Sequence, residues 1–162
     1  GSLNRVQTQT SYALILYFEL HLPEQKAQLC KEFYATLQKY NMHLSTGFIG
    51  TRFLLPALCK CQMSKEAYDI FLSEDYPGWL HEVKLGATSI WERWDSLDKH
   101  GRISPTDMNS LNHYAYGCVD GCTNISVVSV LTKKEICFLH QCQTHVWDTQ
   151  REKSQLIRAL IK

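Results

Sequence analysis

The sequence predicts an all-α fold, a bundle or toroid of short helices whose loops carry the function. Three observations predict it. Apolar residues recur at steps of three and four through most of the chain between Leu14 and Phe71. The breaks between these stretches fall at proline and glycine. The long connections are rich in tryptophan, glycine and charged residues, a composition suited to loops that bind or react.

Leu14, Tyr17 and Phe18 mark a first helix that ends before Pro23. Pro23 suits the first position of the next helix, where its missing N–H costs nothing. There Leu29, Phe33, Leu37 and Tyr40 lie on one face. Residues 44–51, with Gly47 and Gly50, read as a loop. Phe53, Leu54, Ala57, Leu58 and Cys61 mark a third helix, and Ser64 is the expected N-cap of a fourth that carries Ala67, Ile70 and Phe71. Tyr76-Pro77-Gly78 breaks the chain, because the residue before proline avoids the helical region. A short helix from Trp79 to Lys84 then stops at Gly86. Residues 86–109 read as irregular. A further helix is expected from Asn109 or Ser110, carrying Leu111, Tyr114, Ala115 and Cys118.

From Gly121 the texture changes. Ile125 to Leu131 is β-branched and apolar, and Ile136 to Leu139 is a second short apolar run. Thr149-Gln150-Arg151-Glu152 fits a capping box for a last helix with Leu156, Ile157, Leu160 and Ile161. The expected division is therefore a helical domain over 1–120 and a tail over 121–162 with no assigned place.

Lys plus Arg number 17 and Asp plus Glu 16, a net charge of +1. That balance gives no support for capture of nucleic acid or of an anionic membrane surface. No apolar run approaches the roughly 18–20 residues of a membrane span. Gly1-Ser2-Leu3-Asn4-Arg5 has neither Met nor a signal pattern, and fits a cloning scar or an incomplete reading frame. Seven cysteines are an odd number, and no small disulfide framework suits a chain this long. Free thiols are expected. They favour a reducing, cytoplasmic compartment and leave a periplasmic or secreted one open. Cys118, Cys122, Cys137, His140, Cys142 and His145 are soft ligands within a short span. Their spacings match no familiar zinc pattern, so no metal and no cofactor is assigned.

Two stretches can carry chemistry. In Gly86-Ala87-Thr88-Ser89-Ile90-Trp91-Glu92-Arg93-Trp94-Asp95, one carboxylate sits between two indoles. Aromatic faces stack on the apolar faces of sugars, and an apolar wall disfavours an ionised carboxylate, which suits proton transfer. The competing reading is that Trp91 and Trp94 are core and Glu92 pairs with a surface cation. In Met108-Asn109-Ser110-Leu111-Asn112-His113-Tyr114-Ala115-Tyr116-Gly117, two amides, an imidazole and two phenols offer hydrogen bonds to hydroxyls. The competing reading there is a capped helix start with a satisfied, buried histidine.

Four motifs occur in order: Leu44-Ser45-Thr46-Gly47-Phe48-Ile49-Gly50-Thr51, Tyr76-Pro77-Gly78-Trp79, the Trp91-Glu92-Arg93-Trp94 stretch, and the Asn112-His113-Tyr114 stretch. Together they resemble the carboxyl half of the catalytic domain of bacterial and fungal α-L-rhamnosidases, glycoside hydrolase family 78, over about Gln7 to Val119. The resemblance implies part of an (α/α)6 barrel, about half of the toroid. It implies hydrolysis of terminal α-L-rhamnose with inversion, on a rhamnose-containing glycoside or polysaccharide, without a cofactor. Glu92 resembles the general base and His113 the sugar-contacting histidine. Asn112 stands beside His113 in the same motif. Trp79, Trp91 and Trp94 occupy aromatic positions, where sugar stacking competes with packing.

An inverting mechanism needs a second carboxyl group about 6.5–9.5 Å from the base, leaving room for water. In the family that acid lies well before the matched part, so the chain is expected to hold half of a catalytic pair. The missing N-terminal half of the same domain is then its natural partner. A full toroid needs about 350–400 residues at typical helix and loop lengths. The tail after Val119 departs from the family, as a divergence or as the product of a shifted frame.

Overall fold

The computed structural model describes residues 7–122, which form two compact units that divide after Lys84. The tail elements expected from Ile125 onward lie outside the described residues. Among those residues there is no strand longer than an isolated bridge, and no helix is long and apolar enough to cross a membrane.

The first unit is helical. Helix α1 spans Gln9–Tyr17, α2 Lys26–Lys39, α3 Phe48–Lys60, α4 Ser64–Phe71 and α5 Trp79–Lys84. Thr8 caps α1: its side chain accepts from the Ser11 amide at 3.1 Å, and its own amide donates to Ser11 Oγ. That reciprocal pair satisfies two donors at the helix start. Pro23 opens a 3-10 turn, Pro23–Gln25, that leads into α2.

α1 is the hub, packing mainly against α3 and also against α2, while α4 packs against α3. Tyr12, Ala13 and Leu16 of α1 meet Leu29, Phe33 and Leu37 of α2 and Leu54, Ala57 and Leu58 of α3 in one buried core. Each fully buried leucine contributes roughly 1.5–3 kcal/mol of transfer free energy. The buried Gln9 clamps the α2–α3 connection to α1. Its Nε2 donates to the His43 carbonyl at 2.9 Å and its Oε1 accepts from the Ser45 amide at 2.7 Å.

α3 begins earlier than the glycine spacing predicts. Phe48, Ile49, Gly50 and Thr51 are helical. The reason is the packing of α1 on α3, because a Cβ on Gly50 would run into Thr10. Gly50 is thus a contact glycine, and Thr51 holds the start by donating to the Gly47 carbonyl at 2.8 Å.

The expectation of free thiols fails for two cysteines. Cys30 of α2 and Cys61 at the end of α3 form a disulfide with Cα atoms 5.6 Å apart, closing a sequence separation of 31. That Cα spacing is ordinary for a bridge.

The second unit is mostly irregular. Gly86 has φ +91°, a conformation that suits glycine, where α5 has just ended. Leu97 and Ile103 form an antiparallel bridge around a tight turn. Asp98 closes that turn by accepting from the His100 amide at 2.8 Å and the Arg102 amide at 3.0 Å. The helix expected from Asn109 or Ser110 does not form. The amides of Ser110 and His113 donate across to Glu92 and Ile90 instead of up a helix. Helical hydrogen bonding resumes as a 3-10 helix over Ala115–Cys122, and Tyr116 and Val119 are buried in place of Leu111 and Tyr114.

Candidate functional site

Two segments of the second unit, 89–92 and 110–113, run side by side in opposite directions. The Glu92 amide donates to the Ser110 carbonyl at 2.8 Å and the His113 amide to the Ile90 carbonyl at 2.8 Å. Ser89 Oγ donates to the Leu111 carbonyl at 2.6 Å. These bonds bring Glu92 and His113 onto neighbouring segments, although 21 positions separate them in sequence.

The Glu92 carboxylate is held as well as its backbone. Its Oε2 accepts from the Ser110 amide at 2.8 Å, and Glu92 is half-buried. Ser110 in turn is pinned by its own hydroxyl, which accepts from the Asn112 amide at 3.1 Å and donates to the Asn112 carbonyl at 3.0 Å. Asn109 anchors the base of the turn, donating to the carbonyls of Ser96 at 3.1 Å and Ser104 at 3.4 Å. One carboxylate oxygen is thus fixed by a main-chain donor, and rotation of the group is restricted.

His113 Nδ1 accepts from the Ala115 amide at 3.2 Å. A neutral imidazole that accepts at Nδ1 carries its proton at Nε2 and donates from there. The ring is half-buried and lies 5.0 Å from the Tyr114 ring, nearly parallel to it. Asn112 beside it is exposed.

The three indoles are buried. Trp79 is 0% exposed and its ring meets Phe71 of α4 at 5.6 Å. Trp91 is 2% exposed and Trp94 8%, with the Trp94 ring stacked on Tyr116 at 3.9 Å. Such burial is what packing residues show, and Trp91 and Trp94 are apolar neighbours on either side of Glu92 in the chain.

The carboxylates near Glu92 are occupied. Arg93 grips Asp95 with two bonds, Nε to Oδ1 at 2.9 Å and Nη2 to Oδ2 at 3.2 Å, and this lowers the Asp95 pKa below the ordinary aspartate value. The Arg102 amide, the Arg102 guanidinium and the His100 amide together bring Asp98 down to about 2. Both groups are anions near neutral pH, and an anion has no proton to give. Among the described residues no cluster of three His, Cys, Asp or Glu side chains could hold a metal ion. Of the six soft ligands noted near the tail, Cys137, His140, Cys142 and His145 lie outside the described residues.

Sequence reasoning missed the parts played by Ser89, Ser110 and Asn109. The signal was present in Asn109-Ser110-Leu111-Asn112, whose residues favour turns through local hydrogen bonds.

The model of the bacterial alpha-L-rhamnosidase 6 hairpin glycosidase domain matches residues 2–122. An alpha-L-rhamnosidase of Formosa agariphila is 41% identical over 112 residues, covering 69% of this chain and 12% of that protein. The crystal structure of the Streptomyces avermitilis alpha-L-rhamnosidase complexed with L-rhamnose superposes with a TM-score of 0.67 at 37% identity, covering 70% of this chain and 11% of that one. The Aspergillus terreus enzyme gives 0.67 at 38%, covering 70% and 13%. The chain therefore spans about an eighth of the length of the curated relatives it matches. At this identity and coverage, the chain belongs to the α-L-rhamnosidase six-hairpin glycosidase family and forms part of that domain.

Proposed function

We propose that this chain carries the base half of an inverting α-L-rhamnosidase site, acting on terminal α-L-rhamnose of glycosides or polysaccharides. Glu92 takes a proton from the attacking water. His113, donating from Nε2, and Asn112 hydrogen-bond hydroxyls of the sugar. Trp91 and Trp94 help exclude bulk solvent from the base. The observation that carries the reading is the hold of the Ser110 amide on Glu92 Oε2, which aims the carboxylate and leaves Oε1 to accept the proton. A relative in complex with L-rhamnose supports the choice of sugar. On this reading the catalytic segment is residues 1–120, and 121–162 are a separate tail.

The general acid belongs to polypeptide other than this chain. Asp95 and Asp98 are poor substitutes, since arginine contacts hold them ionised. The chain alone is then a base without an acid, and it does not cleave aryl α-L-rhamnosides. The short span of relatives that it covers favours a second reading, a non-catalytic fragment that binds sugar or a partner chain.

A substrate that needs no acid separates the two. Fluoride leaves α-L-rhamnosyl fluoride without prior protonation, so a correctly aimed base suffices to hydrolyse it. Hydrolysis that depends on Glu92 supports the half-site. Sugar binding with no turnover of the fluoride supports the non-catalytic reading.

A further inference from the structure

The disulfide joins two helices that otherwise scarcely meet. α2 and α3 both pack on α1, and contact between α2 and α3 themselves is marginal. α2 rests on the unit through Leu29, Phe33 and Leu37, with Phe33 against Tyr12 at 6.1 Å between ring centroids. The contact of α1 with α3 is the more extensive one. Cys61 is placed at the last turn of α3, where the neighbouring Lys60 already bonds the Tyr17 carbonyl and Glu19 at 2.8 Å each. That turn is thus fastened to the end of α1 by Lys60 and to α2 by Cys61.

Neither half-cystine is deeply buried; both are of intermediate exposure. A bridge within reach of solvent exchanges with dissolved thiols, whereas a fully buried one is shielded. The position is that of a latch on the more lightly packed of the two partners of α1.

We propose that Cys30–Cys61 is a redox-responsive latch that secures α2 to α3, and that the chain matures in an oxidising compartment where the latch is closed. Closure converts two thiols into one disulfide. Two protons and two electrons pass to an exchanging disulfide, which is reduced to two thiols. Opening reverses this: a thiolate attacks one sulfur, forms a mixed disulfide and frees the other cysteine, and a second thiol releases the first. Open, the chain keeps the α1–α3 core and loses the constraint on α2.

Hydrogen exchange on the full chain tests the latch, with and without a phosphine reductant. A non-reducing peptide map after alkylation should join Cys30 to Cys61 and find Cys59 alkylated. On reduction, amides of residues 26–39 should exchange roughly 10²–10³-fold faster, the scale set by chain entropy for a loop of this length. Protected amides of α1 and α3 should change less than about threefold. Oxidised glutathione should restore the protection. The Cys30→Ser/Cys61→Ser variant should show the open pattern with or without reductant; if it does not fold, the reduced natural chain still gives the answer. Unchanged protection of α2 on reduction, an equal rise across α1, α2 and α3, or a different cysteine pairing would each overturn the proposal.

Discussion

Glu92 and Ser110 hold each other twice. The Glu92 amide donates to the Ser110 carbonyl and the Ser110 amide donates to Glu92 Oε2, each at 2.8 Å. A side chain and a main chain are thereby locked to the same residue, and the carboxylate cannot rotate without breaking a bond. Charge-assisted bonds of this kind are stronger than neutral ones, and a buried or half-buried donor left unmade costs about 1–3 kcal/mol.

The clasp predicts a specific exchange pattern. In Glu92→Ala the Ser110 amide loses its acceptor and should exchange at least about tenfold faster, a loss of roughly 1.4 kcal/mol or more of local protection. Glu92→Gln keeps an acceptor oxygen in place and should retain most of the protection. Amide-resolved hydrogen exchange by NMR checks both, and equal rates in all three proteins would remove the clasp.

The turn around Asp98 should be sensitive to acid in one direction only. Its folded pKa, about 2, lies below the ordinary value of 3.8 because backbone and guanidinium donors favour the anion. A depressed folded pKa stabilises the turn above the unfolded value, and that stabilisation is lost as pH falls through the folded one. The turn should therefore be intact above about pH 4 and loosen as pH drops towards about 2. A carbon-13 titration of the Asp98 carboxyl should give a midpoint near the lower figure, and Asp98→Asn should abolish the acid-linked change in the amides of His100 and Arg102. A midpoint near 4 would refute the hydrogen-bonded turn.

Gly50→Ala should destabilise the first unit by about 1–3 kcal/mol, because the added methyl overlaps the Thr10 hydroxyl and also crowds the Cβ and Cγ2 behind it, so that turning the hydroxyl away does not clear the space. Thr10→Ala should recover part of that loss in the double variant, since contacting residues are not additive. Urea midpoints of the four proteins measure this. Additive effects would place the two helices farther apart.

Gln9→Ala should cost about 2 kcal/mol or more. It leaves the Ser45 amide and His43 carbonyl without their side-chain partner and removes buried volume. Equilibrium unfolding in urea checks it, with a change under 0.5 kcal/mol counting against the clamp.

The sequence made the first unit legible where burial is periodic. Leu29, Phe33 and Leu37 line one face of α2 because apolar side chains there have a single core to enter. Gly47 does stand in the loop as expected, but Gly50 misled, since a glycine that lets two helices approach has the same spelling as a glycine in a turn. The helix expected from Ser110 failed for a related reason. Periodicity registers side chains, and here the main-chain amides of Ser110 and His113 had partners on a distant segment. The Cys30–Cys61 pair is equally invisible to spacing, because it depends on how α2 and α3 are both seated on α1. The order of the motifs singles out Glu92 and His113 as candidates, while the bonds they accept from the Ser110 and Ala115 amides are a matter of backbone geometry.

Glu92 is proposed here as an aimed base whose acid lies on other polypeptide. The most direct measurement is fluoride release from α-L-rhamnosyl fluoride by the natural chain and by Glu92→Gln, beside nitrophenol release from an aryl α-L-rhamnoside. The natural chain should release fluoride, Glu92→Gln should lose that release by at least about 10²-fold, and neither should give nitrophenol above background. Equal fluoride release by the two proteins, or clear cleavage of the aryl glycoside by the natural chain, would contradict it.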